Sequence, residues 1–377
     1  MDPRFDYLES REFSPPRHRR SFMIKSGRLK KTPPKLITYP GYGFVHNGSW
    51  RLLITGIAYQ NPEEYSMRKR LMIRMLRNAM DVTPEETDCE IFRDRVAPFM
   101  AEARGKLSIC VEFGTHRIQL KKKTRRNGRF TALVSLPESE ISRLAESAPG
   151  GKRFVRYRVT TDFPRSEAVE GRIHLLSDRG VSVISDIDDT IKVTSVGNKR
   201  ELLFNTFLRD FKSVDGMPDL YSEWSDAGAD FHYVSSSPWQ LFQPLAAMQR
   251  KEGFPHGTLH LRNYRISDQL LKRMPVFRRR GKVITIRRLF KHLPGRKFIL
   301  IGDSGEKDLE IYHKAARMCP GQIAGVFIRN LENKPLPEDR IRKFNRQLEL
   351  VNCRTFRTAS ELRGHAREAL GIAAGSV

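Results

Sequence analysis

Apolar residues along the chain fall into two rhythms. Up to about residue 176 they come in short runs rich in β-branched and aromatic side chains: residues 50–59 read WRLLITGIAY, 107–113 LSICVEF, 116–120 HRIQL and 130–136 FTALVSL. Such runs predict strands. Residues 153–160 (RFVRYRVT) alternate apolar and polar positions, as a half-exposed strand does. The Asn127-Gly128 pair predicts a tight turn leading into 130–136. Residues 62–100, between the strand-like runs, read as helical. The pattern predicts a β-rich, sandwich-like domain over residues 36–178 with a helical insertion.

From residue 179 onward strand-like and helix-like segments alternate, which predicts a parallel sheet in an α/β domain over residues 179–377. Strands are expected at 181–185, 231–234, 297–301 and 325–329. Helical stretches are expected at 199–227, 240–251, 282–292 and 360–370, the last with Ser360 as its N-cap.

Residues 1–35 break both rhythms. Ser14-Pro15-Pro16, Arg17-His18-Arg19-Arg20, Lys30-Lys31 and Pro33-Pro34 carry prolines and like charges that cannot build a core, so a disordered basic arm is expected. The whole chain of 377 residues has a formal net charge of +25 and a pI near 10.2. That excess predicts attraction to polyanions without choosing among an anionic membrane surface, a phosphorylated substrate and nucleic acid. Residues 121–126 (KKKTRR), beside the predicted turn, add to it. The four cysteines form neither a CxxC pair nor a zinc-like cluster with histidine, which favours a reducing compartment. The opening MDPRFDYLES lacks a secretory layout and no apolar run is long enough to span a bilayer. A cytoplasmic protein, peripheral on membrane at most, is expected.

Candidate chemistry sits where strands end, the place where open α/β sheets bind ligands. The strand at 181–185 runs into Asp186, Asp188, Asp189 and Thr190. Carboxylates this close repel one another, and a bound Mg2+, which prefers oxygen ligands, would offset the charge. The strand at 231–234 runs into Ser235-Ser236-Ser237-Pro238, and the strand at 297–301 into Asp303 and then Asp308, with Lys282 before it. Singly, each has a plainer reading: a turn hydroxyl, a surface lysine beside Arg278–Arg280, a helix cap.

In this order the four pieces resemble the haloacid dehalogenase-like phosphatases, with DxDxT, a Ser or Thr, a Lys and GDxxxxD. The segments DIDDTIKVT (186–194), FHYVSSSPWQLFQPL (231–245), GTLHLRNYRI (257–266) and FILIGDSGEKDLEIY (298–312) resemble more narrowly the phosphatidate phosphatase catalytic domains of the actin-patch-protein type. Asp215-Gly216-Met217 and FRTASELRGHA near the C-terminus fit as well. The resemblance implies a Rossmann-like fold of the haloacid dehalogenase type over roughly residues 180–372. It makes Asp186 the nucleophile, and Asp188 the acid–base group. Mg2+ would be held by Asp186, Asp303 and the main-chain carbonyl of Asp188. It gives Ser235 and Lys282 the phosphoryl oxygens, with Thr190 and Ser236 in the same turns and Asp308 orienting the metal or Lys282. A neighbouring arginine is the alternative to Lys282.

The substrate implied is phosphatidate or another lipid phosphate, with Trp239, Leu241 and Phe242 either facing acyl chains or packing in a core. Two alternatives stay open at this point: a phosphatase for a soluble or nucleic-acid phosphoester, and a non-catalytic basic module that binds anionic membrane or nucleic acid. Oligomeric state is not legible.

Overall fold

In the computed structural model the described residues are 32–61, 67–262, 280–348, 351 and 353–370. The expected arm lies outside them as far as residue 31. Lys35, the last residue of the expected arm, opens the first strand.

The β-rich part comprises β1 (Lys35–Tyr39), β2 (Gly41–His46), β3 (Ser49–Gln60), β4 (Glu102–Ala103), β5 (Ile109–Phe113), β6 (His116–Gln119), β7 (Arg129–Pro137), β8 (Ala145–Ala148), β9 (Lys152–Thr161) and β10 (Val169–Leu175). Helices α1 (Met67–Met80) and α2 (Glu90–Met100) form the insertion, and α3 (Glu138–Leu144) follows β7. The expected sandwich has the expected strands but different bonding. All ten strands are hydrogen-bonded into one sheet: β3 pairs with β1, β2, β4 and β7, β9 with β5, β8 and β10, β5 with β6, and the parallel pair β2–β10 joins the two groups. Leu52 and Ile54 of β3, Val111 and Phe113 of β5 and Val155 and Tyr157 of β9 share one core, so the sheet folds over upon itself.

The second sheet is wholly parallel. Its strands are β11 (Val181–Ser185), β12 (Asp230–Pro238), β13 (Gly257–Arg262), β14 (Lys297–Asp303), β15 (Ile323–Arg329) and β16 (Cys353–Phe356), in the order β13-β12-β11-β14-β15-β16. Counted from its own first strand this is 3-2-1-4-5-6, the doubly wound order, and β11 and β14 flank the point where the order reverses. Successive side chains supply opposite faces. Val183, Ile299, Ile301, Phe231 and Tyr233 enter one core with α5 (Met217–Asp226), α6 (Phe242–Lys251) and α10 (Ala359–Leu370). Ile184, Phe298, Leu300, Val326 and Ile328 enter the other with α7 (Arg280–His292), α8 (Asp308–Met318) and α9 (Glu338–Gln347).

Two expectations are corrected. The helical stretch 199–227 is two helices, α4 (Lys199–Phe207) and α5, separated by a turn through Gly216 at φ 70°, where glycine carries no steric penalty. The last helix starts at Ala359, so Ser360 is inside it. Thr358 precedes it instead, its Oγ1 accepting from Glu361 N at 3.4 Å.

The two sheets share cores. Tyr42 and Phe44 of β2 and Leu53 of β3 are buried with Ile286, Leu289, Phe290 and Leu293 around α7. Trp239 packs with Ile37, Tyr39 and Ile57, its ring 5.2 Å from that of Tyr59. A line of buried histidines runs through this junction. His232 shares Thr258 with His260 at 2.7 and 2.9 Å, and Tyr42 Oη meets His292 Nδ1 at 2.9 Å. Burial holds His174 and His260 down at about 3 and His292 at about 4, and His232 well below its ordinary value. These rings are neutral when folded and take up protons more readily when unfolded, so their contribution is complete above about pH 6.5 and is lost as pH falls below it. We expect urea midpoints to drop from pH 7.5 to pH 5, by up to about 1.4 kcal/mol per histidine for each unit below pH 6.5. The slope should be shallower in His232→Gln. An unchanged slope in that variant would refute the assignment.

Candidate active site

The turn after β11 is built by its own carboxylates. Asp186 N donates to Ile301 O at 2.8 Å, which continues the β11–β14 ladder and fixes Asp186 at the sheet's carboxyl edge. Asp189 sits at φ 53°, a left-handed conformation that Asp tolerates better than most residues. Its carboxylate accepts the backbone N–H groups of Thr194, Ser195 and Val196 at 2.6–2.8 Å, folding the following loop back over the site. Arg329, at the end of β15, donates to Asp189 O at 2.8 Å.

The second carboxylate source is the loop after β14. Asp303 Oδ1 accepts from Gly305 N at 2.6 Å and Glu306 N at 3.0 Å. Asp308 opens α8, where the helix dipole favours negative charge. Glycine at 302 is required by close approach: a Cβ there would lie 2.3 Å from Asp308 Oδ2.

Lys282, two residues into α7, places its ammonium among three of these groups. Nζ lies 2.8 Å from Asp186 Oδ1, 2.9 Å from Glu306 and 2.7 Å from Asp308, with all four side chains almost completely buried. Burial alone would lower the Lys282 pKa, but Asp186, Asp308 and Glu306 raise it well above the ordinary value, so it is a fixed cation. Asp186, Glu306 and Asp308 offer oxygens within 4.8 Å of one another, as metal ligands do. The lysine ammonium already serves that triad.

The unserved oxygens lie elsewhere. Both carboxylate oxygens of Asp186, Oδ2 of Asp303 and the Thr190 hydroxyl are buried without a hydrogen bond, the Lys282 contact to Asp186 being an ion pair outside hydrogen-bond angles. Burial, then neighbouring carboxylates, hold Asp186 and Asp303 above the ordinary carboxylate range. The unserved oxygens of Asp186 and Asp303 are hard donors short of positive charge, which a hard divalent cation would fit.

Asp188 is differently placed. Its Oδ1 accepts from Lys192 Nζ at 3.0 Å and Thr194 Oγ1 at 2.8 Å, and its Oδ2 from Ser237 Oγ at 2.5 Å and Ser235 Oγ at 3.3 Å. Burial pushes its carboxyl up, but the Lys192 charge and the bonds from Ser237, Thr194 and Lys192 outweigh it and hold it at about 2. Ser235 also accepts from Ser237 N at 2.8 Å, and half-buried Ser236 reaches Glu306 at 3.4 Å.

The structure thus brings Asp186, Asp188, Thr190, Ser235, Ser236, Lys282, Asp303 and Asp308 to one edge of one sheet. Lys282 is the buried cation of the triad; the side chains of Arg278, Arg279 and Arg280, weighed against it, lie outside the described residues. Trp239 and Leu241 are buried in cores and Phe242 packs partly buried at 5.1 Å from the Tyr39 ring, so the acyl-facing alternative for them is set aside. Sequence reasoning missed Lys192, Thr194, Ser237, Glu306 and the anchoring role of Asp189. Lys192, 1% exposed, stands 4.5 Å from the Phe211 ring; a lone lysine between Ile191 and Val193 was the available signal.

Residues 181–330 match the family described as phosphatidate phosphatase APP1, catalytic domain. The chain is 40% identical over 162 residues to phosphatidate phosphatase APP1 of Saccharomyces cerevisiae, covering 42% of this chain and 27% of that protein. It is 32% identical over 200 residues to an uncharacterized protein of Schizosaccharomyces pombe, covering 52% of this chain and 33% of that one. The chain therefore spans about a third or less of the length of these curated relatives. Among solved structures, the PilB minor pilin of Streptococcus sanguinis aligns with 71% of this chain and 89% of its own at 8% identity and a TM-score of 0.26, too distant to bear on the fold. The match to the family begins at β11 and ends just past β15, so the likeness to APP1 phosphatidate phosphatase catalytic domains encloses every carboxylate and lysine of the site described above.

Proposed function

We propose that this protein is a Mg2+-dependent phosphatidate phosphatase, of haloacid dehalogenase-like fold, that releases diacylglycerol and inorganic phosphate through an aspartyl-phosphate on Asp186. The observation that carries the reading is the buried, hydrogen-bond-free Asp186 carboxylate beside the Lys282 ammonium, inside the segment that matches the family.

Asp186 and Asp303, with the main-chain carbonyl of Asp188, would hold the metal, which when bound lowers the repulsion between a dianionic phosphoester and these carboxylates. Asp186 Oδ attacks phosphorus, and the bond from phosphorus to the glycerol oxygen breaks. Lys282 holds a phosphoryl oxygen and restrains Asp186 in line. Ser235 turns from Asp188 to the phosphoryl group, where charge accumulates. Asp188 takes up a proton from solvent as the dianionic substrate binds beside it, and gives that proton to the departing alkoxide. Asp188, again a carboxylate, then takes a proton from the water that hydrolyses the aspartyl-phosphate. Thr190 and Ser236 shape the two turns, and Asp308 keeps Lys282 charged and in place. Among the described residues no helix is long and apolar enough to cross a membrane; the reading is of a peripheral, cytoplasmic enzyme that meets its lipid at a surface.

Phosphate release from phosphatidate in micelles should stop with chelator and return with Mg2+. Asp303→Asn should lower turnover by at least two orders of magnitude, about 3 kcal/mol. Full turnover with excess chelator would exclude the metal. Faster release from soluble phosphomonoesters or phosphorylated nucleic acid ends than from phosphatidate would move the substrate to those classes.

The two aspartates of the turn separate by phosphoenzyme. Asp188→Asn keeps the nucleophile, so nitrophenyl phosphate, whose leaving group needs little protonation, should load a hydroxylamine-labile phosphate on the peptide containing Asp186. Asp186→Asn should load none. Equal loss on every substrate, with no phosphate on either variant, would overturn these roles.

A further inference from the structure

The mechanism above leaves one buried cation without a role. Lys192 stands four residues after Asp188 and is 1% exposed, closed to a ligand arriving from solvent. Its main chain is tied down: Lys192 N donates to Ile187 O at 2.9 Å, and Lys192 O accepts from Asp189 N at 2.7 Å. The next residue, Val193, donates to Lys212 O at 2.9 Å. The Lys192 ammonium donates to Asp188 Oδ1 at 3.0 Å and to Thr194 Oγ1 at 2.5 Å, and it stands 4.5 Å from the centre of the Phe211 ring. Phe211 is itself buried, with the Arg95 guanidinium of α2 at 3.7 Å from the same ring.

The two oxygens of Asp188 are held by different parts of the chain. Oδ1 takes both its bonds from its own turn, from Lys192 and Thr194. Oδ2 takes its bonds from the second strand end, and one of those donors, Ser235, is the one that turns to the phosphoryl group. The torsion that orients a carboxylate is broad, so side-chain preference alone does not fix which oxygen points where. The grip on Oδ1 does. Thr194 is as firmly placed as Lys192: it is buried, its N–H donates to Asp189 Oδ1 at 2.8 Å, and its carbonyl accepts from Asn205 at 3.2 Å. A lysine present only to balance a buried charge would need no second donor on the same oxygen.

We propose that Lys192 and Thr194 are positioning residues that fix Asp188 Oδ1 and so present Oδ2 as the oxygen that gives and takes the proton, an inference that rests on the phosphatase reading above. In the first step Oδ2 gives its proton to the departing alkoxide. In the second, the water oxygen bonds phosphorus, the bond from phosphorus to Asp186 breaks, and the proton of the water goes to Oδ2. Neither Lys192 nor Thr194 touches a reacting atom; their part is to hold the carboxylate still, where a misplacement of about 1 Å can cost roughly a hundredfold in rate.

The test uses the full chain with Mg2+, phosphatidate in micelles and nitrophenyl phosphate. Lys192→Met keeps most of the stem and removes the ammonium; Thr194→Val keeps the shape and removes the hydroxyl. Each should lower kcat on phosphatidate at least about tenfold while KM stays within about twofold. With nitrophenyl phosphate each should release a burst of about one nitrophenol per enzyme and then turn over slowly, with hydroxylamine-labile phosphate accumulating on the peptide containing Asp186. Thr194→Ser, which keeps the hydroxyl, should recover most of the lost turnover. Thermal midpoints near that of wild type would show that the variants fold; should Lys192→Met fail to fold, the Thr194→Val and Thr194→Ser pair decides. Turnover lost by the same factor on both substrates with no accumulated phosphate, or Thr194→Ser no better than Thr194→Val, would overturn the proposal. Phosphate loading by Asp188→Asn would then leave the phosphatase reading standing. No phosphate release from any phosphomonoester by wild type would sink that reading and this inference with it.

Discussion

Five carboxylates, from Asp186, Asp188, Asp303, Glu306 and Asp308, are gathered at one edge of a parallel sheet where little water reaches. Two like charges 4 Å apart repel by about 4 kcal/mol at an effective dielectric of 20. Much of the architecture around the site answers that repulsion. Lys282 takes the contacts of Asp186, Glu306 and Asp308, and Lys192 takes Asp188. The orphaned oxygens of Asp186 and Asp303 mark the charge still unanswered, which is why the site fits a hard cation.

Those lysines are only as well placed as the elements that carry them. Lys282 depends on α7, and α7 is buried against Tyr42, Phe44 and Leu53 of the β-rich sheet. Full burial of a side chain of that size contributes roughly 1.5–3 kcal/mol. The Ser235–Ser237 turn depends on the same sheet, since Trp239 and Phe242, just beyond it, pack on Tyr59 and Tyr39. The β-rich sheet thus supports two pieces of the site without contributing a side chain to the carboxylate cluster. On the third side, α4 packs with α1 and α2 of the insertion around Met72, Leu76, Phe92, Val96 and Leu203. Arg200 Nε to Met80 O at 2.7 Å and Arg95 to Thr206 O at 2.9 Å lock them together. The loop that Asp189 folds over the site leads directly into α4.

The sequence by itself determined which residues stand at strand ends. Short, nearly continuous apolar runs such as 181–184 and 298–301 are sufficient for this, because a parallel strand is buried on both of its faces. Asp186, Ser235 and Asp303 follow those runs directly, so their convergence at one sheet edge was legible before any coordinates. Only tertiary structure decided the bonding of the β-rich strands, because a strand records its burial pattern and not its partners: the parallel pairing of β2 with β10 joins the strands around β3 to those around β9 in one sheet. Tertiary structure also decided which cations serve which carboxylates. Lys192 and Lys282 are separated by 90 positions in the chain, and only the packing of α7 and the fold of the turn after β11 bring the two into the same carboxylate cluster. A charge pattern in one dimension cannot show such pairing, because Coulomb energy depends on distance in space and on burial, and both are properties of the folded chain.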